Sequence, residues 1–197
     1  MANTSLLTKV VGTVLVGGGI AGAGTAYALS SNQKAKTTIE NKLNEEQKEL
    51  LDGEVEALWE IKLTTYKRIK AKDNTFELTP LSWQGLKNWC STNKGKENNE
   101  TNQKIYERVK EVCIVPTYKE KLLKENKQLA EDTQDWTNRT NDYKQSGNNL
   151  LIDGIDRANP GNDALKNWCT NTILNSKFTT EDKNYNLAVK WCTKTGT

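Results

Sequence analysis

The chain has 197 residues, with 28 Lys and Arg against 25 Asp and Glu, a formal net charge of +3, 35% apolar residues and no His. Without His there is no Ser-His-Asp or Cys-His nucleophile pair, no imidazole acid–base catalyst and no His-ligated metal. Near-balanced charge sets up no strong field, which excludes a dedicated nucleic-acid binder, and the length allows one domain or two small ones.

After a short tail at 1–9, Val10 to Leu29 runs for 20 residues without a charge. That is about the length of a helix crossing a bilayer core. We read 10–29 as a signal anchor that leaves the remainder outside a cell membrane. The alternative is a secretory signal cleaved after Ala28, because Ala26-Tyr27-Ala28 fits the small-x-small rule. Gly17-Gly18-Gly19-Ile20-Ala21-Gly22 also matches GxGxxG, the signature of flavin and dinucleotide sites. Such a site needs a second strand ending in an acid about 20 residues on. Residues 36–46 are instead polar and helical in character, so no cofactor is expected. Gly18 and Gly22 suit close packing of membrane helices as well.

A linker is expected at 30–43, then two helical modules at 44–116 and 117–194, with 195–197 as a tail. The division rests on an internal repeat. Leu86-Lys87-Asn88-Trp89-Cys90 recurs identically as Leu165-Lys166-Asn167-Trp168-Cys169. Tyr106 and Tyr185 follow 16 residues after those cysteines, and Cys113 and Cys192 seven residues later. Upstream, Trp59 precedes Tyr66 by seven residues, as Trp136 precedes Tyr143. Two copies are too few for a solenoid and make paired modules.

In module 1 the apolar spacing predicts one long helix over 44–72, a shorter helix after Pro80, and a third over 98–113. In module 2 the long helix is expected over 118–145, with Leu122, Leu129, Trp136 and Tyr143 on a stripe of 3.5-residue spacing. Asn126, Thr133 and Thr140 fall on the same stripe. Thr117 and Glu120 read as a capping box, and Thr180 as the N-cap of the last helix. No alternating β-branched run lies beyond residue 29, so the fold class is all-α.

Four cysteines allow three pairings. The repeat makes Cys90–Cys113 with Cys169–Cys192 the simplest, each module closing its own loop in an oxidising compartment. Buried free thiols remain the alternative, while the absence of a CxxC knuckle speaks against zinc. The recurring Trp59, Trp89, Trp136 and Trp168 read as core rather than as a platform for glycans or bases, and Tyr66, Tyr106, Tyr143 and Tyr185 share that frame. Trp83 and Trp191 are not repeated and are the better candidates for a unit-specific role. Asp153, Asp156, Asn159, Asn162 and Asp163 crowd one stretch, but the alternating ligands of a calcium loop are missing. They read as a polar loop in which Asn162 or Asp163 caps the next helix. No catalytic, cofactor or metal residue stands out, and no enzymatic activity is expected.

The Gly/Ala-rich N-terminal segment, the Trp in a Lys-rich helix, the Leu-Lys-x-Trp-Cys unit and Val112-Cys113-Ile114-Val115-Pro116-Thr117 together resemble paralogous families of uncharacterised proteins of haemotropic mycoplasmas. Abundant Lys and Asn and scarce Arg and Pro are similar to the composition of such AT-rich genomes. The resemblance implies a multi-copy, surface-exposed protein of a wall-less parasite of red blood cells, involved in antigenic variation. A host protein or an antibody would be its partner, beside the membrane itself through 10–29. The second module departs from the pattern, since Trp191-Cys192-Thr193 lacks the Val-Pro-Thr extension.

Overall fold

Within residues 37–161 and 163–194, which the computed structural model describes, the backbone is all-helical. Eight α-helices are joined by short 3-10 and π turns and by isolated β-bridges, with no strand among the described residues. The expected anchor at 10–29, the two tails and the first half of the linker lie outside the described residues. Among the described residues no helix is long and apolar enough to cross a membrane.

The long helix expected over 44–72 is two helices, α1 (Ile39–Glu45) and α2 (Glu56–Lys70). Gln47 sits in the left-handed region at φ 57°, and the Lys48 amide donates back to the Leu43 carbonyl at 2.9 Å, closing α1. The chain then runs extended, with the Leu51 amide on the Cys113 carbonyl at 2.7 Å. Module 2 repeats the break. Helix α5 (Tyr118–Lys124) ends at Asn126, φ 59°, and α6 (Thr133–Lys144) begins after Ala130 has bonded Cys192. The stripe through Asn126 and Thr133 is therefore not one helix face. Helix α1 also takes over the end of the expected linker. Ile39 and Leu43 are fully buried in the first core, and Thr38 caps α1 as Thr117 caps α5.

Helix α3 (Trp83–Lys94) and α4 (Gln103–Val112) complete module 1, and α7 (Ala164–Asn167) and α8 (Lys183–Cys192) complete module 2. Where α3 is continuous, module 2 passes from α7 into a π turn, Trp168–Thr172, and a 3-10 turn, Ile173–Asn175. The cause is one extra residue. Six positions separate Cys90 from Lys96, whose carbonyl takes the Ile39 amide, but seven separate Cys169 from Ser176, which takes the Tyr118 amide. A π turn absorbs such an insertion without moving the helix ends. Asp182, not Thr180, caps α8, accepting the Tyr185 amide at 3.0 Å.

Each module buries its own core around its own disulfide. Cys90–Cys113 and Cys169–Cys192 are both formed, each with Cα atoms 5.6 Å apart, and no cysteine is free. Leu43, Trp59, Tyr66 and Leu86 pack around the first, and Leu122, Tyr143, Leu165 and Trp191 around the second. A buried cation reaches a late carbonyl of the last helix in both: Lys62 bonds Glu111 O at 2.9 Å, and Arg139 bonds Lys190 O at 3.0 Å. The favourable field at a helix C-terminus explains why a positive side chain settles there.

The seam between modules is made by α2 against α5. Ile61 belongs to the second core although it lies in the first module, and Arg68 donates to the Leu123 carbonyl at 2.5 Å. One close approach in module 1 is testable. A Cβ on Gly85 would stand 2.1 Å from the Pro80 carbonyl oxygen, whereas the matching position in module 2 is already Ala164. Gly85→Ala should destabilise the protein by about 2–3 kcal/mol through overpacking. Ala164→Gly should cost only about 1 kcal/mol of helix propensity. Denaturant titration of the two variants separates these outcomes.

Candidate functional site

The repeated aromatic residues occupy matching places. Trp59, Tyr66, Trp136 and Tyr143 are buried, and Trp89 and Trp168 are half-buried against their cores. The Tyr66 hydroxyl donates to the Phe76 carbonyl at 3.1 Å, and that of Tyr143 to Ile155 at 3.1 Å. Trp191 does not carry a unit-specific surface. It is fully buried, donates from Nε1 to Leu150 O at 2.7 Å and lies edge-on to Tyr143, where module 1 has Val112. Trp83 is half-buried against the first core. Sequence spacing alone did not distinguish an unrepeated core residue from an unrepeated surface one.

Tyr106 and Tyr185 close a second matched feature. Each hydroxyl donates to a carboxylate 60 residues earlier, Glu46 and Glu125. Lys110 reaches Glu46 at 2.6 Å and Lys121 reaches Glu125 at 2.7 Å. Burial and then the carboxylate bond raise the phenol of each Tyr. Hydrogen bonds from Lys110 and Tyr106 hold Glu46 below the usual carboxylate value. Burial works against the same shift at Glu125, and the bonds from Lys121 and Tyr185 prevail. Asp73, held by the Thr75 hydroxyl and by Arg108, lies well below the carboxylate range.

These carboxylates titrate lower in the folded than in the unfolded chain, so on acidification the unfolded chain takes up protons first. Their stabilisation is complete above about pH 5 and drains away as pH falls through the unfolded value near 4 toward the folded ones. The thermal midpoint should therefore drop on acidification from pH 5 to 2. It should drop less steeply in Glu125→Gln, which starts from a lower midpoint. Equal slopes in wild type and variant would contradict the assignment.

The modules differ most over Trp136. In module 1 the segment between Leu51 and Trp59 includes Gly53-Glu54. Trp59 Nε1 donates to Gly53 O at 3.1 Å, and Glu54 pairs with Lys87. The corresponding segment, Ala130 to Trp136, is two residues shorter, and the loop from Tyr143 to Cys169 is two residues longer than its counterpart. Both changes meet at one place. There the second module has a groove of about 390 Å³, lined by Trp136, by Thr133, Thr137 and Asn141 of α6, and by Asn159 and Asp163 of the segment before α7. Trp136 is 8% exposed where Trp59 is 1%, and Thr140 replaces the buried Leu63. Lys166, the counterpart of Lys87, lines the groove without the glutamate that occupies Lys87.

The groove was not foreseen from the sequence, because Trp136 reads as a core residue and is mostly one. Its signal was the unequal spacing that surrounds an otherwise exact pair of tryptophans. Of the stretch weighed as a calcium loop, Asp153 and Asp156 are exposed, and Asp156 caps the Ala158 amide at 2.9 Å. Asp163 begins α7 without a side-chain cap bond. Among the described residues no group of three or more His, Cys, Asp or Glu is placed to hold a metal ion.

Another cavity, of about 430 Å³, lies at the seam, and Lys48, Arg68, Lys119, Glu111 and Glu120 are among its lining residues. Two of its polar lining groups hold the modules together, Arg68 on Leu123 and Glu120 on Lys62. Set against protein-family models, curated proteins and solved structures, the chain matches none of them.

Proposed function

We propose that this is a membrane-anchored, outward-facing helical protein without enzymatic activity, which makes contacts through its polar surface. The observation that carries the reading is the pair of closed disulfides, one in each module. Disulfides persist in oxidising compartments, and the uncharged segment at 10–29 supplies a means of holding the chain at such a surface. The duplicated frame spends its cysteines and most of its tryptophans on architecture. The copies differ in loop length and exposed residues and at a few core positions, which suits a scaffold that displays different chemistry on a shared frame. Contact with a host cell and antigenic variation are the roles implied by the family that the chain resembles.

Protease treatment of intact cells tests this reading. The helical domain should be cleaved along with known surface proteins and spared only when they are spared. Survival under conditions that remove those proteins would overturn it. Sequencing the mature N-terminus then distinguishes an anchored protein, which keeps residues 10–29, from a secreted one beginning after Ala28.

A further inference from the structure

We infer that the groove over Trp136 is a binding site for a neutral saccharide, a deepening that rests on the surface-display reading. The comparison within the molecule comes first. The same scaffold occurs twice, and in module 1 this place is sealed by a loop carbonyl on the indole, a Glu54–Lys87 ion pair and a buried Leu63. In module 2 all three seals are gone: the shorter segment before Trp136 lacks the counterparts of Gly53 and Glu54, and Thr140 stands in place of Leu63. Leaving part of an indole and a threonine at an open groove gives no packing advantage, since closing it, as module 1 does with Leu63 and the Gly53-Glu54 segment, removes more apolar surface from water.

The chemistry of the lining then selects the ligand. Lys144 and Lys166 are balanced by Glu131 and Asp163, so the groove offers no net attraction to a phosphate or sulfate. Its walls are too polar to take an apolar peptide side chain or a lipid tail. The side chains of Asn141, Asn159 and Asp163 have no hydrogen-bond partner among the described residues, and together they offer donors and acceptors across the groove. A pyranose matches this arrangement, with C–H groups to lie against the small part of the indole left open and hydroxyls that both donate and accept. The volume, about 390 Å³, falls within the range of about 300–1,000 Å³ usual for small-ligand sites.

The test uses the full-length oxidised protein in a zwitterionic, non-glycosidic detergent, applied to an array of neutral, sialylated and sulfated glycans. The strongest neutral array member is then titrated by saturation-transfer NMR. Saturable binding of a neutral glycan is expected. Asn141→Arg and Thr137→Trp, both at exposed positions, should weaken it at least about tenfold. Glu60→Arg, at the position matching Thr137 in module 1, should leave it unchanged. Peptide mapping of both disulfides in each variant shows that the scaffold is intact. The inference is overturned if no neutral glycan binds saturably, if only anionic glycans bind, or if Asn141→Arg leaves the affinity unaltered. Protease shaving of cells is read independently. A surface-exposed protein that ignores glycans ends this inference alone, and an internal protein ends the display reading whatever its groove binds.

Discussion

Reducing both disulfides is expected to unfold most of the helical domain at physiological temperature. Each bond spans 23 positions, and the chain-entropy relation assigns such a closure roughly 3 kcal/mol. The two together are worth about 6 kcal/mol, comparable to the entire stability of many domains of this size. Three of the four half-cystines are fully buried, and the bonds lie at the centres of the two cores. Replacing Cys90 and Cys113 by Ser should lower stability by roughly 3 kcal/mol, as should replacing Cys169 and Cys192. Because the cores are separate, the two losses should nearly add. Denaturant midpoints followed by far-UV circular dichroism give the comparison. A shift under about 1 kcal/mol for either pair would show that the core, not the cross-link, holds that module.

The second large effect concerns the seam. Lys62 is 1% exposed, and its ammonium lies 2.7 Å from Glu120 Oε1. The same oxygen accepts from Thr65 at 2.7 Å, while Oε2 takes the Thr117 amide at 2.9 Å. Burial pushes the Lys62 ammonium below its usual value, and Glu120 opposes the shift. Glu120→Gln keeps the acceptor geometry but leaves the buried cation without its bonded counter-charge, with only the more distant Glu111 opposing it, and should cost about 3 kcal/mol. Lys62→Met removes the charge and its desolvation together and should cost much less. The double variant should then be more stable than Glu120→Gln alone. A double-mutant cycle measures this directly, and simple additivity would mean that the two groups do not act as a pair.

Lys62 also illustrates how far a sequence reading reaches. On α2 it looks like a solvated lysine among several, although Leu58, Trp59 and Tyr66, three or four positions away, place it on the apolar face. It becomes a seam residue only because α5 of the next module lies across α2. Gln47 and Asn126 make the same point for the backbone. Neither is Gly or Pro, and apolar residues resume beyond both, so the spacing predicts one long helix through each. The left-handed turns that end α1 and α5 are held by backbone bonds, to which the side-chain pattern is nearly blind. The extra residue behind the π turn leaves no trace in the landmark spacing, because Tyr106 and Tyr185 both stand 16 positions after their cysteines; only the backbone bonds to Lys96 and Ser176 reveal it.

The groove over Trp136 was legible only in retrospect. The repeated tryptophans suggested core, correctly for most of each side chain. The two-residue differences on either side of Trp136 were present in the spacing, but their convergence depends on α6 and the loop before α7 meeting in space.

The sequence by itself determined the all-helical class and the paired aromatic frame, and made one cysteine pairing the simplest of three. Each of these follows from local periodicity or from residues recurring at fixed offsets, and needs no knowledge of how distant segments pack. Tertiary structure alone decided where the helices break, which lysine is buried at the seam and which tryptophan stands in an open groove. Those features depend on the solvent that one module or loop excludes from another, a quantity that no single stretch of sequence contains.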